Sequence, residues 1–217
     1  MKVGILGTGE VGRTLGAGFA NLGHEVRIGS REPGSDKVQA WVKQTGARAS
    51  SGTFAETAAF AEVAVLATLW SGTESALQLA GAKNLAGKVV IDATNPLVFQ
   101  QGKPPALALG HDDSGGEQVQ RWLPDARVVK AFNIVGHAHM VKPQFPGGPP
   151  DMFICGNDAD AKKTVSQICK DFGWGVIDLG AIDGSRYLEP MCMTWVLHGV
   201  LTGSWTHAFK MLHAANK

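Results

Sequence analysis

Near its amino end the chain carries three glycines whose spacing suits the binding of a nucleotide phosphate. They form a GxGxxG motif, Gly7-Thr8-Gly9-Glu10-Val11-Gly12. In such a motif the first glycine permits a tight turn, the second lets a pyrophosphate approach the backbone, and the third lets a helix pack closely on a strand. The free N–H groups at the start of that helix then face the phosphate charge. The motif predicts a dinucleotide site; a purely structural glycine turn is the alternative.

The residues after the second predicted strand indicate which dinucleotide is bound. An NAD site places an acid there, roughly 20 residues past the glycines, on the adenine ribose hydroxyls. This chain has Ser30 and Arg31 instead, followed by Glu32. A guanidinium can bind a 2′-phosphate through two hydrogen bonds, whereas a carboxylate would repel it. We therefore predict NADP as the cofactor, with Glu32 toward solvent and Lys37 as a further positive charge; an ordinary surface arginine is the alternative for Arg31.

Three more predicted strand ends are expected to line the same cleft, because ligands of such sheets bind at the carboxyl ends of the strands. Asn95 and Asn133 offer amide donors and acceptors near the nicotinamide end, although asparagine is also a common turn residue. The residues assigned to these ends are Thr68, Leu69, Trp70, Ala93, Asn95, Pro96, Ala131 and Asn133.

Residues suited to proton transfer are less evident in the sequence. No Ser-Tyr-Lys, Lys–Glu or His–Asp arrangement stands out as a proton donor to a carbonyl substrate, so no catalytic residue is assigned. His137 and His139 are the nearest acid–base candidates, and His137 is assigned to the substrate side; surface histidines are the alternative. Two histidines alone make a poor metal site, so no metal is expected. The cysteines, notably Cys155 and Cys192, are expected to be packed residues and not nucleophiles.

These residues are positioned by alternating strands and helices. Short apolar runs such as "KVGILG", "HEVRIG", "EVAVLAT", "KVVIDAT" and "ARVVKAF" alternate with helical patterns, three of which begin with Ser/Thr-x-x-Glu capping boxes at Thr53–Glu56, Ser71–Glu74 and Ser114–Glu117. Roughly six such units predict an α/β fold with a doubly wound, mostly parallel Rossmann sheet.

The segment "PQFPGGPP" at 143–150 separates this fold from the C-terminal part of the chain. It predicts a loop, after which come two strands, "DMFIC" and "WGVIDL", and a long helix starting near Pro190. We therefore expect a dinucleotide-binding domain over 1–142 and a small C-terminal extension over 143–217. We expect this extension to pack on the same domain and to complete the pocket for a substrate or electron acceptor.

Composition excludes several classes of partner. The net charge is +1, the charged fraction is 18%, and no Lys/Arg run suggests nucleic acid. Three widely spaced cysteines with no CxxC pair predict a reducing, cytoplasmic location. Residues 190–209 carry no formal charge over nearly the length of a membrane span, but their Thr, Ser and His content favours a buried helix and no membrane association.

Four stretches together resemble a known family. They are "GTGEVGRTLGAGFANLGHEVRIGSR", "DATNPL", "VVKAFN" and "LEPMCMTW…HAFK", and in that order they are similar to the NADPH-dependent F420 reductases (F420H2:NADP oxidoreductases). Their wider relatives include the cytoplasmic reductase domain of the STEAP ferric reductases. The resemblance implies NADPH in the Rossmann cleft, with Ser30 and Arg31 on its 2′-phosphate. It also implies a flavin or deazaflavin stacked on the nicotinamide, under the segment of Pro190 and Met191.

The function expected from these observations is hydride transfer between NADP(H) and a flavin or deazaflavin acceptor. Direct transfer between stacked rings depends on positioning more than on acid–base groups. Two alternatives stay open: an NADP-dependent reductase of a small imine or keto acid, similar to pyrroline-5-carboxylate reductase, and a non-catalytic NADP(H)-binding redox sensor. Gly199 and Gly203 would permit close helix contact, either in a homodimer through the last helix or within one subunit.

Overall fold

The structure is a computed structural model that describes residues 1–214. Its strands are β1 (Lys2–Leu6), β2 (Glu25–Gly29), β3 (Ala49–Gly52), β4 (Val63–Leu66), β5 (Val89–Asp92), β6 (Leu97–Val98), β7 (Ala106–Leu107), β8 (Arg127–Lys130), β9 (Asp151–Gly156) and β10 (Gly175–Asp178). Its α-helices are α1 (Glu10–Asn21), α2 (Asp36–Thr45), α3 (Phe54–Phe60), α4 (Trp70–Ala80), α5 (Ala82–Leu85), α6 (Gly115–Trp122), α7 (Ala159–Asp171) and α8 (Ser185–Thr202).

Eight of the strands form one sheet in the order β10-β9-β8-β5-β4-β1-β2-β3. Neighbouring strands in it are parallel apart from β8 and β9, which are antiparallel. The chain moves outward from β1 to β3 on one side and restarts at β4 on the other, which is the doubly wound arrangement. The predicted Rossmann fold is confirmed, and β6 and β7 add a separate antiparallel pair.

Helices cover both faces of this sheet, as neighbouring residues of β1 demonstrate. Ile5 packs toward α1, where its side chain lies close to Gly16, and Gly4 faces Thr57 and Ala61 of the α3 region. Successive residues of a strand point to opposite faces, so α1 and α3 lie on opposite sides of the sheet. The apolar runs of β1, β4 and β5 are therefore buried on both faces, as expected of parallel strands.

The turn between β1 and α1 accepts only glycine at two positions. Gly7 has a φ of 128°, and a Cβ there would lie 2.3 Å from the carbonyl oxygen of Ala67. A Cβ on Gly12 would lie 2.4 Å from the carbonyl oxygen of Gly7. Both distances are far below any real contact, so the end of β1 can approach the chain after β4 and the helix α1 only because these side chains are absent.

The C-terminal extension continues the same sheet. Residues 143–150 contain no helix or strand, in agreement with the predicted loop, and β9 then pairs with β8 through Val129 and Gly156. After α8 the chain returns to this loop, where the Asp151 N–H donates to the Phe209 carbonyl at 2.9 Å. The last residues of the expected extension, 215–217, lie outside the described part of the chain.

Several local predictions can be compared with these elements. The capping box at Thr53–Glu56 is complete, and the Ser114 side chain caps α6. The capping box predicted at Ser71–Glu74 is wrong, because α4 already begins at Trp70 and its N-cap residue is Leu69. The predicted start of the last helix near Pro190 is also wrong. α8 begins at Ser185, and Pro190 lies inside it, where its ring removes one backbone donor without ending the helix.

The uncharged stretch at 190–209 falls largely within α8. Among the helices of residues 1–214, the structure contains none with both the length and the apolar character that a bilayer crossing requires.

Candidate functional site

A cleft of about 840 Å³ lies at the carboxyl ends of β1, β2, β4 and β5. It opens where the strand order reverses between β1 and β4, which is where ligands of doubly wound sheets bind. The residues that line it are Gly7, Thr8, Gly9, Glu10, Val11, Ser30, Arg31, Lys37, Phe54, Ala67, Thr68, Leu69, Ser71, Gly72, Ser75, Ala76, Leu79 and Ala93.

The amino end of α1 faces this cleft with no side chain in the way. Gly9 is the capping residue, and none of the described side chains caps the helix there. A Cβ built on Gly9 would meet no heavy atom within 4 Å, so the glycine opens space on the cleft side and is not required by packing. Free N–H groups beside open space are suited to a phosphate.

Positive charge is placed at the β2 end of the cleft. Arg31 and Lys37 both line it and are both exposed, and Ser30 lies beside them at the end of β2. The Ser30 hydroxyl accepts a hydrogen bond of 3.0 Å from the Glu32 N–H, which holds the turn, while Glu32 is exposed and outside the lining. Two cations and a hydroxyl in one corner can hold a second, terminal phosphate.

One wall of the cleft was not predicted from the sequence. Gly72, Ser75, Ala76 and Leu79 are spaced as one face of α4, and Phe54 stands at the start of α3. The helical spacing of these residues was visible in the sequence, but their small and mixed side chains gave no reason to assign that face to a ligand. The face leaves room for a flat ring because its first three residues are small.

Ten of the predicted cofactor residues meet in the cleft: Gly7, Thr8, Gly9, Glu10, Val11, Ser30, Arg31, Thr68, Leu69 and Ala93. The other six do not line it. Gly12 is buried beneath the turn, Trp70 packs on Trp122 with ring centroids 5.6 Å apart, and Ala131 is fully buried. Pro96 is buried against the position of Gly115, and Asn95 and Asn133 are bonded to each other.

The three predicted substrate residues are dispersed. Pro190 lines a second pocket of about 620 Å³, together with residues 107–111, Arg186 and Tyr187. Met191 is partly buried against the core, and His137 is exposed in a short 3-10 helix, His137–His139, outside both pockets. The His139 ring packs beside the Phe145 ring, with the ring centroids 5.0 Å apart. Neither His137 nor His139 therefore lines the cleft.

A buried lysine cluster, formed by Asp92, Lys130 and Glu189, lies behind the strand ends. Lys130 Nζ lies 2.8 Å from Asp92 Oδ2 and 3.0 Å from Glu189 Oε1, and all three side chains are essentially without exposed surface. Burial alone would lower the pKa of Lys130, but the two carboxylates outweigh it and hold that pKa above the usual range of a lysine. One feature of the cluster was visible in the sequence, because Asp92 and Lys130 each stand at the end of an apolar run. The structure pairs these two residues as register partners of β5 and β8.

The cysteines are unsuited to act as nucleophiles. Cys155, Cys169 and Cys192 are free and buried. Burial raises the pKa of the Cys155 thiol to about 11 and that of the Cys192 thiol to about 12, which keeps both protonated near neutral pH. Among residues 1–214 no three His, Cys, Asp or Glu side chains come together as a metal site.

Comparison with known proteins gives one consistent family. Residues 2–96 match the profile described as NADP oxidoreductase, coenzyme F420-dependent. The F420-dependent NADP reductase of Methanocaldococcus jannaschii is 33% identical over 201 residues, which cover 88% of this chain and 89% of that protein. A crystal structure from Arthrobacter sp. FB24, provisionally named an F420-dependent NADP reductase, is 40% identical, has a TM-score of 0.92, and matches 98% of this chain and 100% of that one.

More distant relatives show how far this likeness extends. The metalloreductase STEAP3 of Rattus norvegicus is 31% identical over 190 residues, but the chain spans only 36% of its length. An imine reductase of Streptomyces aurantiacus has a TM-score of 0.66 at 13% identity, which shows a shared fold alone. The predicted family, the predicted enzyme class and the predicted NADP cofactor are confirmed. The chain belongs to the F420-dependent NADP oxidoreductase family and is an NADP-dependent oxidoreductase.

Proposed function

We propose that the chain binds NADPH along the cleft and passes hydride between it and a flavin or deazaflavin acceptor such as F420. The observation that carries this proposal is the composition of the cleft. An open helix amino end at Gly9 and a cationic corner at Arg31 and Lys37 lie on one groove, so one dinucleotide with a 2′-phosphate can satisfy both. The small face of α4 then borders the adenosine.

The residues of the cleft bind and orient, and they do not transfer protons. The titratable residues among the described lining are Glu10, Arg31 and Lys37, and all three lie on the β1 and β2 side, away from Ala93. When bound, NADPH supplies a hydride from C4 of its nicotinamide ring. At the Ala93 end the chain offers apolar and hydroxyl groups that hold a ring and exclude water. A site of this kind suits an acceptor ring that takes hydride directly, and not a carbonyl or imine that needs a proton donor.

The acceptor is proposed to lie toward α8, near Pro190. The F420-dependent name of the Methanocaldococcus jannaschii relative supports a deazaflavin, and the second pocket that Pro190 lines supplies space on that side. STEAP3 is named a metalloreductase, but the chain spans about a third of it, so ferric reduction is not proposed for this chain.

The acceptor assignment predicts a specific reaction. Mixing the protein with NADPH and F420, or with FMN, should oxidise NADPH, seen as a loss of absorbance at the nicotinamide band, with the acceptor reduced in equal amount. A small imine and a keto acid are the matched alternatives. Oxidation with these compounds alone would contradict the proposal, and NADPH binding without oxidation by any of the four would indicate a redox sensor.

Replacement of Arg31 tests the phosphate corner. Arg31→Ala should weaken NADPH binding tenfold or more, because a charge-assisted hydrogen bond contributes about 1.5–3 kcal/mol, and should leave NADH binding nearly unchanged. Fluorescence titration with both nucleotides measures this. Arg48→Ala, an exposed arginine outside the cleft, is the control. An equal loss for both nucleotides would remove Arg31 from the 2′-phosphate.

Replacement of Gly9 tests the pyrophosphate position separately from folding. Gly9 has φ −71° and ψ 178°, which alanine adopts freely, so Gly9→Ala should fold with an unchanged melting temperature. Its methyl group would occupy the open space at the helix end and weaken NADPH and NADH equally, by about tenfold or more. Gly147→Ala, which also adds a methyl group into open space but in the 143–150 loop, should change neither. Unimpaired nucleotide binding by Gly9→Ala would exclude the proposed pose.

A homodimer through α8 is proposed on a surface different from the one expected. Gly199 packs on the chain's own Trp205, 2.4 Å from where its Cβ would be, and Gly203 ends the helix with a φ of 70°, so the glycine pair serves the subunit itself. Leu197, Val200 and Leu201 are instead 45–76% exposed on the part of α8 after Pro190, which carries no formal charge. An exposed apolar face of this kind favours association.

This surface gives a direct test of the dimer. Light scattering should give twice the chain mass of 22.9 kDa for the wild type and a monomer for Leu201→Glu. Val98→Glu, on the exposed β6 strand, should remain dimeric. A monomeric wild type would disprove the dimer and leave the hydride-transfer proposal intact.

A further inference from the structure

The buried lysine cluster joins three parts of the chain that are distant in sequence. Lys130 Nζ, at the end of β8, lies 2.8 Å from Asp92 Oδ2 of β5 and 3.0 Å from Glu189 Oε1 of α8, and it donates to the Thr94 carbonyl at 2.9 Å. Thr94 in turn donates from both its N–H and its hydroxyl to Asp92 Oδ1, at 2.9 and 2.7 Å. Two carboxylates and a carbonyl oxygen therefore surround the buried ammonium.

Glu189 is held from a fourth element as well. Its two carboxylate oxygens accept the N–H groups of Gly115 and Gly116 at 2.9 and 3.0 Å, at the amino end of α6. A Cβ on Gly116 would lie 2.1 Å from the Ser185 hydroxyl and 2.9 Å from Lys130 Cε, so α6 approaches α8 this closely only because glycine stands there. The carboxylate therefore has one position available to it.

Asn95 and Asn133 form a second set of hydrogen bonds, next in sequence to the lysine cluster. Asn133 Nδ2 donates to Asn95 Oδ1 at 2.9 Å and to the Leu188 carbonyl at 3.1 Å, while Asn95 Nδ2 donates to the Asn133 carbonyl at 2.8 Å. The loops after β5 and β8 are thus bonded to each other and to α8. Phe132, between Lys130 and Asn133, has a φ of 63°, a conformation that a non-glycine residue keeps only where its surroundings impose it.

The contacts of this network with α8 fall on Leu188 and Glu189, immediately before Pro190. Pro190 cannot donate a backbone hydrogen bond to the preceding turn, so α8 lacks one helical hydrogen bond next to the residues that the cluster contacts. A buried ion pair contributes little net stability compared with apolar packing of the same volume, and its best attested benefit is a fixed arrangement. The placement of the cluster therefore indicates that it holds Leu188 and Glu189 of α8 in a fixed position.

We propose that Lys130, Glu189 and Asn133 are positioning residues that hold the segment Leu188–Met191 of α8 at a fixed place over the strand ends, so that the acceptor meets the nicotinamide at the distance hydride transfer requires. The proposal rests on the proposed function for its acceptor. It does not require any of the three side chains to touch the acceptor or NADPH. A loosened segment would weaken acceptor binding and leave the phosphate end of the cleft as it is.

The test compares Glu189→Gln and Asn133→Ala with Val165→Ala. Val165 is a fully buried residue of α7, and its truncation lowers stability without touching α8. In both test variants we expect the KM for the acceptor to rise about tenfold, the loss expected for a broken charge-assisted or buried hydrogen bond. The NADPH dissociation constant should stay unchanged, and hydrogen exchange over residues 186–195 should quicken. Val165→Ala should lower the melting temperature with neither effect.

Each outcome decides the proposal. An unchanged acceptor KM in both test variants, the same KM rise in Val165→Ala, or a parallel loss of NADPH affinity would overturn it. If Glu189→Gln does not fold, Asn133→Ala, which keeps all three charges, decides alone. If the wild type reduces neither F420 nor FMN, the proposed function fails, and the exchange measurement then decides whether these residues hold the segment: faster exchange over 186–195 supports this, and unchanged exchange overturns it.

Discussion

A lysine with no exposed surface connects the ends of β5 and β8 to α8, on the side where the acceptor is proposed to bind. Removing an ammonium from water costs several kcal/mol, and the cost is offset only when opposite charges and hydrogen bonds surround it. Here the surrounding groups come from β5, from the loop after it and from α8. Neither carboxylate can move away from Lys130 without losing its charge partner in a buried place. The relative position of these elements is therefore strictly limited.

The cofactor side depends on a different constraint, which is the absence of side chains. At Gly7 and Gly12 the backbones of β1, α1 and the chain after β4 lie too close for any Cβ, whereas at Gly9 the missing Cβ leaves open space. Gly7 and Gly12 allow the cleft to assemble, and Gly9 leaves room in it for a ligand. The cleft is thus built by close backbone packing and the cluster by buried charge pairing. The end of β5 contributes to both, because Asp92 lies in the cluster and the next residue, Ala93, lines the cleft.

This difference explains which features could be predicted from the sequence. The determinants of the cofactor side are local: Gly7, Gly9 and Arg31 come after strands whose apolar pattern is clear, so fold, cleft and cationic corner were all accessible. The cluster around Lys130 is not local, because its members become neighbours only through strand order and the docking of α8. Asn95 and Asn133 were assigned to the cofactor for their chemistry. In the structure the Asn133 amide donates to the Asn95 amide oxygen, and the Asn95 amide donates to the Asn133 backbone carbonyl. The strand ASSG of β3 and the start of α8 before Pro190 carry too weak a local pattern to be located.

The state of the titratable groups favours hydride chemistry over proton transfer. A lysine whose pKa is raised on folding contributes stability that is fully present below the unfolded pKa, about 10.4, and is lost only as the pH rises through the folded pKa. Lys130 therefore stays protonated throughout the neutral range, and its burial keeps it from exchanging a proton with a substrate. Burial likewise keeps the thiols of Cys155 and Cys192 protonated. Since Lys130 and these two thiols stay protonated, what the chain provides at Ala93 is placement. Placement is sufficient for two rings that exchange a hydride, whereas reduction of an imine or a keto acid would require a proton donor in addition.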